Sequence, residues 1–154
     1  MRTFAIALLM AAAALPAGLP EGVAHWTSAE LRGFAQTLGP KMNAQKIATQ
    51  SLGSYGNHSF LVAHREGNGE AELHETQNDV MVVESGEAML VVGGTVVDPR
   101  TTAPHEIRGP SIRGGDKLAL AAGDVVHIPI KTAHQMLLES GKQITYFVVK
   151  IDAR

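Results

Sequence analysis

The residues in this chain best suited to chemistry are histidines and carboxylates. It has seven histidines and no cysteine, so disulfides, thiolate zinc sites, iron–sulfur clusters and cysteine nucleophiles are excluded together. Imidazole and carboxylate are then the strong metal donors that remain. Their spacing is informative: Glu72-Leu73-His74, then Asp79 after a gap of four residues, then His134 just beyond Pro129. Residues i and i+2 of a β-strand point to the same face, so Glu72 and His74 can enter one interior together. Asp79 would begin the next strand after a short turn, where its carboxylate can fold back toward them. His134 would open a third strand after a proline turn. Three or four nitrogen and oxygen donors converging in this way suit Mn, Fe, Ni or Zn with coordination positions left open, and two imidazoles with a carboxylate match the triad of non-haem iron oxygenases. The alternative is a metal-free pocket in which the same groups hydrogen-bond to one another.

The elements that must position these residues can be read from the pattern around them. From about residue 46 onward, runs of β-branched residues bounded by Gly, Pro, Asn or Asp predict strands over 48–51, 59–65, 71–74, 79–84, 87–92, 95–97, 117–120, 124–128, 133–138 and 144–152. Glu84-Ser85-Gly86-Glu87 and Ala121-Ala122-Gly123-Asp124 read as turns between strands. Short strands at this spacing, with no helix among them, predict an all-β sandwich or barrel. Segment 98–116 carries Pro99, Pro104 and Pro110 with Gly109, Gly114 and Gly115, and is expected to be a long loop, either functional or mobile. One helix is predicted ahead of the strands, over 27–38. Thr27 and Glu30 form a capping box, with Trp26 and Leu31 placed to staple it. Leu31, Phe34, Ala35 and Leu38 give it one apolar face, and Gly39-Pro40 stops it.

The rest of the composition narrows the function. The 154 residues amount to one domain, with 13 Lys and Arg against 15 Asp and Glu. No basic stripe marks a nucleic-acid protein, and no polybasic patch marks a membrane surface. Met1-Arg2 followed by an apolar run to Leu15 and a Pro16-Ala17-Gly18 break has the pattern of a secretory signal peptide. The run is shorter than the roughly 20 residues of a membrane span. A leader over 1–24, cleaved after Ala17 or Ala24, a helical segment over 25–45 and a β-domain over 46–154 are therefore expected, in a periplasmic or secreted protein with no membrane attachment after cleavage.

Glu72, His74, Asp79 and Gly86 stand at the spacing of the first cupin motif, two donors at i and i+2, then a carboxylate, then six residues and a glycine. Gly123, Pro129, Lys131 and His134 follow the spacing of the second. The chain thus resembles a small, single-domain secreted bacterial cupin across roughly 57–150. The resemblance implies an all-β, double-stranded β-helix (jelly-roll) barrel, here preceded by one N-terminal helix, with a metal site inside. It implies His74, His134, Asp79 and Glu72 as ligands of a divalent metal, Mn or Fe ahead of Zn or Ni. The chain departs from the pattern at four places. Glu72 replaces a histidine, Asp79 a longer glutamate, Lys131 a glycine and Leu138 an asparagine.

Two function classes follow. One is a metal-dependent enzyme acting on a small organic molecule, by dioxygenase, isomerase or lyase chemistry, with Glu72 or His127 shuttling a proton. The other is a non-catalytic module holding a sugar or acid in the barrel mouth. His127 shares a strand face with Val125 and reads either as a packed barrel residue or as a pocket acid/base. Arg108 and Arg113, near His105 and Glu106, could bind an anionic substrate or pair with neighbours at the surface. His58 and His64 read as surface or rim groups. The expected partners are a small-molecule ligand and no nucleic acid, with a homodimer left open.

Overall fold

The computed structural model describes residues 18–153, and the apolar leader expected before them lies outside that range. The first element is a helix, α1 (Ser28–Leu38), capped as its sequence requires: Thr27 accepts from the Glu30 amide, and Glu30 accepts in return from the Thr27 amide at 2.7 Å. A single 3-10 turn, Gly39–Lys41, leads into the strands.

Twelve strands follow. They are β1 (Ile47–Tyr55), β2 (His58–Arg65), β3 (Ala71–His74), β4 (Gln77–Val92), β5 (Thr95–Val97), β6 (Arg100–Ala103), β7 (Glu106–Gly109), β8 (Ser111–Arg113), β9 (Asp116–Ala121), β10 (Val125–Ile128), β11 (His134–Leu137) and β12 (Ile144–Asp152). All pairings are antiparallel. The main sheet runs β1-β2-β12-β4-β11-β3-β7-β6, with β9 and β10 also paired to β4, and β5 with β8 forms a small separate ribbon. The sheet curls on itself as a jelly-roll barrel.

Strand β4 makes the curl possible. The sequence predicts two strands separated by a turn at 84–87, but the chain runs through as one strand of 16 residues. Its first half pairs with β12 and β10, its second half with β11 and β9. The turn signal marks a bend instead. Gly86 has φ +81°, and the register against β12 slips between Thr145 and Tyr146, the local twist of a β-bulge. A Cβ on Gly86 would lie 2.0 Å from the Gln143 carbonyl oxygen, so only glycine fits.

The alternation of β2 and β12 divides two apolar layers. Ala63, Met81, Val83, Leu90, Tyr146 and Val148 point into the barrel and pack together. Val62 and Phe147 face the other way and meet Leu31, Phe34 and Leu38 of α1. Trp26 joins this outer layer, its ring 5.3 Å from Phe60 and 5.9 Å from Phe147. It therefore anchors the helix to the sheet. His64 shares the Val62 face and is buried, its Nδ1 2.8 Å from the Thr145 hydroxyl. This corrects the expectation of a surface or rim residue: the helix layer covers a sheet face that the strand pattern alone left open.

Segment 98–116 is also corrected. It holds three strands, β6, β7 and β8, rather than a loop. Each has four residues or fewer and β6 is fully exposed, so no hydrophobic periodicity announces them. They are held by pairing, with β7 set against β3 over Ala71–His74.

Replacing Gly86 by Ala should cost about 2–4 kcal/mol, because a backbone clash adds to an unfavourable positive φ. Urea unfolding reads this directly, and an unchanged midpoint would contradict the bend described here.

Candidate metal centre

The candidate site is made of cross-strand neighbours. Glu72 is directly opposite His134 of β11 on one side and Arg108 of β7 on the other. His74 is opposite Glu106, and Asp79 of β4 is opposite Lys150 of β12. Directly opposed residues share a face and sit about 5 Å apart at Cβ. Inward alternation then brings Glu72, His74 and His134 from one half of the barrel against Asp79 and Lys150 from the other.

The distances are those of a donor cluster. His74 Nε2 lies 3.7 Å from Glu72 Oε2 and 3.3 Å from Asp79 Oδ2, while His134 Nε2 lies 3.9 Å and 3.8 Å from the same two oxygens. Ligand atoms bound to one ion at about 2.1 Å stand roughly 3.0–3.4 Å apart, so small side-chain movements would close the cluster. Glu72, His74 and His134 each offer one atom within 4.8 Å of the others. His74 and His134 are 4% and 3% exposed and Asp79 2%, which makes unpaired polarity here expensive.

Both imidazoles are oriented for ligation. His134 Nδ1 donates to the Thr132 carbonyl at 3.2 Å, which leaves Nε2 with its lone pair toward the cluster. That Nε2 is buried and has no hydrogen-bond partner. His74 Nδ1 donates to the Glu106 carboxylate at 2.7 Å, again turning Nε2 inward. A carboxylate behind a histidine fixes its tautomer and raises its basicity toward a metal. Glu106 lies in the segment that the sequence reads as a loop, so its role became visible only through the β3–β7 pairing.

Lys150 was not singled out by the sequence. Its ammonium lies 2.9 Å and 3.2 Å from the Asp79 oxygens and 3.2 Å from His74 Nε2. The one signal for it is alternation: Tyr146, Val148 and Lys150 share the inward face of β12. His74 Nε2 has a single lone pair, so accepting from Lys150 and binding a metal are alternatives.

Other residues named from the sequence fall elsewhere. His127 is exposed and opposite Val80, which alternates with the buried Asp79 and Met81. It faces outward with the exposed Val125 and does not reach the cluster, correcting the pocket acid/base expectation. Arg113 is exposed on β8, opposite Thr95 in the small ribbon, and makes no contact with the site among the described residues. Arg108 does belong to it, holding Glu72 Oε1 at 2.8 Å. His105 pairs with Glu75 at the surface, at 3.2 Å.

No family model and no curated protein matches the sequence. Solved structures do. A cupin 2 conserved barrel domain protein from Rhodopseudomonas palustris is 20% identical, with a TM-score of 0.50 over 70% of this chain and 62% of that one. The TT1209 protein of Thermus thermophilus reaches a TM-score of 0.55 at 17% identity, over 77% of this chain and 94% of that one. A recombinant oxalate oxidase in complex with glycolate gives 0.52 at 13% identity, over 71% of this chain and 53% of that one. The fold of the barrel is the one these cupin structures have.

In this barrel the departures from the cupin motif spacing acquire physical form. Lys131, where the second motif has glycine, adopts a positive φ of 60°, and its amide donates to the His74 carbonyl at 2.7 Å. The backbone geometry that glycine would supply is retained without glycine, at a conformational cost of about 1 kcal/mol. Asp79, one methylene short of glutamate, still comes within 3.3 Å of His74 Nε2.

Without a metal the cluster balances its own charge. Burial pushes the Glu72 carboxyl up, but Arg108, His134, His74 and Lys150 outweigh it and hold it below the usual range. Burial likewise raises Asp79, and the contacts with His74 and Lys150 bring it down. Burial lowers His134, which favours the neutral ring. Burial also lowers His74, but the Asp79 and Glu106 carboxylates together outweigh it and the net direction is up. The two imidazoles thus act oppositely on stability, while both carboxylates act alike. A carboxyl lowered in the folded state contributes stability above its unfolded value, and that contribution is lost as the pH falls through the folded one. The melting temperature of the chelator-treated protein should therefore drop as pH falls below ~4, and Asp79→Asn should flatten that acid limb in calorimetry. An equally steep limb in the variant would contradict the assignment.

Proposed function

We propose that this chain is a metal-dependent cupin that binds, and acts on, a small organic molecule in the cavity beside the cluster. The observation that carries this reading is the His134 Nε2 lone pair, buried, without a partner and aimed at Glu72 and Asp79. A buried polar atom left unsatisfied costs about 1–3 kcal/mol, and a cation among these donors removes that cost. His74, His134 and Glu72 would hold the ion once Lys150 moves off His74 Nε2, with Asp79 as a fourth donor. Nitrogen and oxygen donors suit Mn or Fe first, then Ni or Zn.

When bound, the ion supplies a Lewis acid that polarises a substrate oxygen. The chain's own residues do the rest. Glu106 keeps His74 in the ligating tautomer, and Arg108 holds the Glu72 carboxylate in place. Glu72, partly open to the cavity, can carry a proton if it is not itself a ligand. A cavity of about 340 Å³ opens beside the cluster, of a size for a small ligand. Fold neighbours include an oxalate oxidase with glycolate and a DMSP lyase, which supports a catalytic role for such a barrel. Dioxygenase, isomerase and lyase chemistry are all compatible with it.

A second reading, a binding module that works without metal, is favoured by one observation. The Lys150 ammonium already satisfies Asp79 and His74 Nε2, so the pocket has an internal cation.

Loading the chelator-treated protein with Mn, Fe, Ni or Zn separates the two. Elemental analysis should find about one ion per chain, and a hundredfold excess over Kd should stabilise the fold by ~2.7 kcal/mol. His134→Ala should lose most of the metal, whereas His58→Ala, whose ring stacks on Tyr55, should keep it. Glu72→Ala with metal retained and turnover lost makes Glu72 the proton carrier; loss of metal makes it a ligand. No uptake of any of the four metals would sink this reading and leave the binding module.

Export to the periplasm or medium belongs to the same proposal, supported by the leader pattern ahead of Ala17. Mass spectrometry of the periplasmic fraction should find a chain starting after Ala17 or Ala24, and an intact N-terminus in that fraction would refute cleavage.

A further inference from the structure

Among the described residues, Arg65 is the buried charged side chain near the cluster that forms no ion pair, with the Tyr146 hydroxyl as a neutral hydrogen-bond partner. It is 4% exposed and shares the inward face of β2 with Ala63. It forms no ion pair among the described residues, and its Nε has no hydrogen-bond partner. The neighbouring carboxylates are all engaged elsewhere: Glu70 with Arg100, Glu72 with Arg108, Asp79 with Lys150. A guanidinium removed from water without a counter-ion is costly. Arg65 lines the cavity beside the metal cluster together with Tyr146, Arg108 and Lys150, and its guanidinium stands next to the Tyr146 hydroxyl. Its terminal nitrogens also crowd Gly69, where an added Cβ would come within 2.9 Å of the guanidinium. The backbone therefore backs one side of the guanidinium, and the cavity is where a ligand can reach it.

We infer that Arg65 is the anchor of a carboxylate site, and that the molecule bound in this cavity is a small organic carboxylate. The guanidinium fork matches a carboxylate in two hydrogen bonds, and the Tyr146 hydroxyl supplies a third donor beside it. One uncompensated positive charge matches a monoanionic carboxylate better than a phosphate dianion. A divalent ion on Glu72 and Asp79 would release Arg108 and Lys150 from their present partners, so metal and carboxylate should bind cooperatively. This inference names the ligand class for the metal-centre reading above, but Arg65 lies outside the proposed ligand set and can be tested without metal.

The probe is propionate, with propionamide as its neutral counterpart of the same shape and inorganic phosphate as the competing anion. In the metal-free protein, amide NMR titration with propionate should move the signals of Gly69 and Tyr146 and leave Arg113 in place. Propionamide should bind about tenfold more weakly or worse, as should inorganic phosphate. Arg65→Gln should weaken propionate about tenfold, with Arg113→Gln unchanged. Arg65→Met should also raise the melting temperature of the ligand-free protein, because it removes a buried charge without a counter-ion. A purely structural arginine would instead lower it. Loading with Zn should tighten propionate in the wild type. No shift at Gly69 and Tyr146, equal affinity for propionate and propionamide, or tighter binding of phosphate would each overturn the inference. A protein that takes up no metal but binds propionate through Arg65 would refute the metal reading and leave this one standing.

Discussion

Two imidazoles and a carboxylate, almost wholly buried, meet at one end of this barrel, and the surrounding structure is arranged to make that tolerable. Buried polar groups hold a fold together only when every lone pair and proton is answered. Here Glu106 behind His74 and Lys150 against Asp79 come from strands far away in sequence, while the Thr132 carbonyl behind His134 comes from the turn two residues before it. One atom of the cluster, His134 Nε2, is left over. That single unanswered lone pair sets the cluster apart from a well-packed polar core.

The geometry of β4 sets what can meet there. Because the strand continues through Gly86, its first half lies in one side of the barrel and its second half in the other. Asp79 thus enters the cluster from beside β12, while β11 and β3 carry His134 and Glu72 in from the opposite side. A true turn at 84–87 would have ended the strand. The same bend directs Met81, Val83 and Leu90 into one apolar core, so the packing of the barrel and the placement of the site rest on a common feature.

Outside the barrel, α1 covers the face of β1, β2 and β12 that does not line the core. It adds an apolar layer around Val62 and Phe147 and buries His64 against Thr145. The strands beneath Arg65 and Lys150 are consequently packed on both faces. Their inward side chains project from a stiff support, which suits a pocket that must present charges at fixed positions.

Much was legible in the sequence. The capping box of α1, most strand positions and the motif spacing that brings Glu72, His74, Asp79 and His134 together all depend on local chemistry or on period-two alternation, which survive in one dimension. The rest depended on partners. Strands β6 to β8 have too little hydrophobic content to reveal themselves and exist through pairing, β7 with β3, β6 with β7 and β8 with β5, which is why Glu106 could not be placed. His127 and Lys150 both sit in apolar strands, and alternation alone does not say which face is inside. Only the curl of the sheet turns Lys150 toward Asp79 and His127 toward solvent. The donors themselves were written in the chain. Which cation stands among them, and which arginine is left without a counter-ion, was decided by strands brought side by side in the barrel, because charge is balanced between neighbours in space.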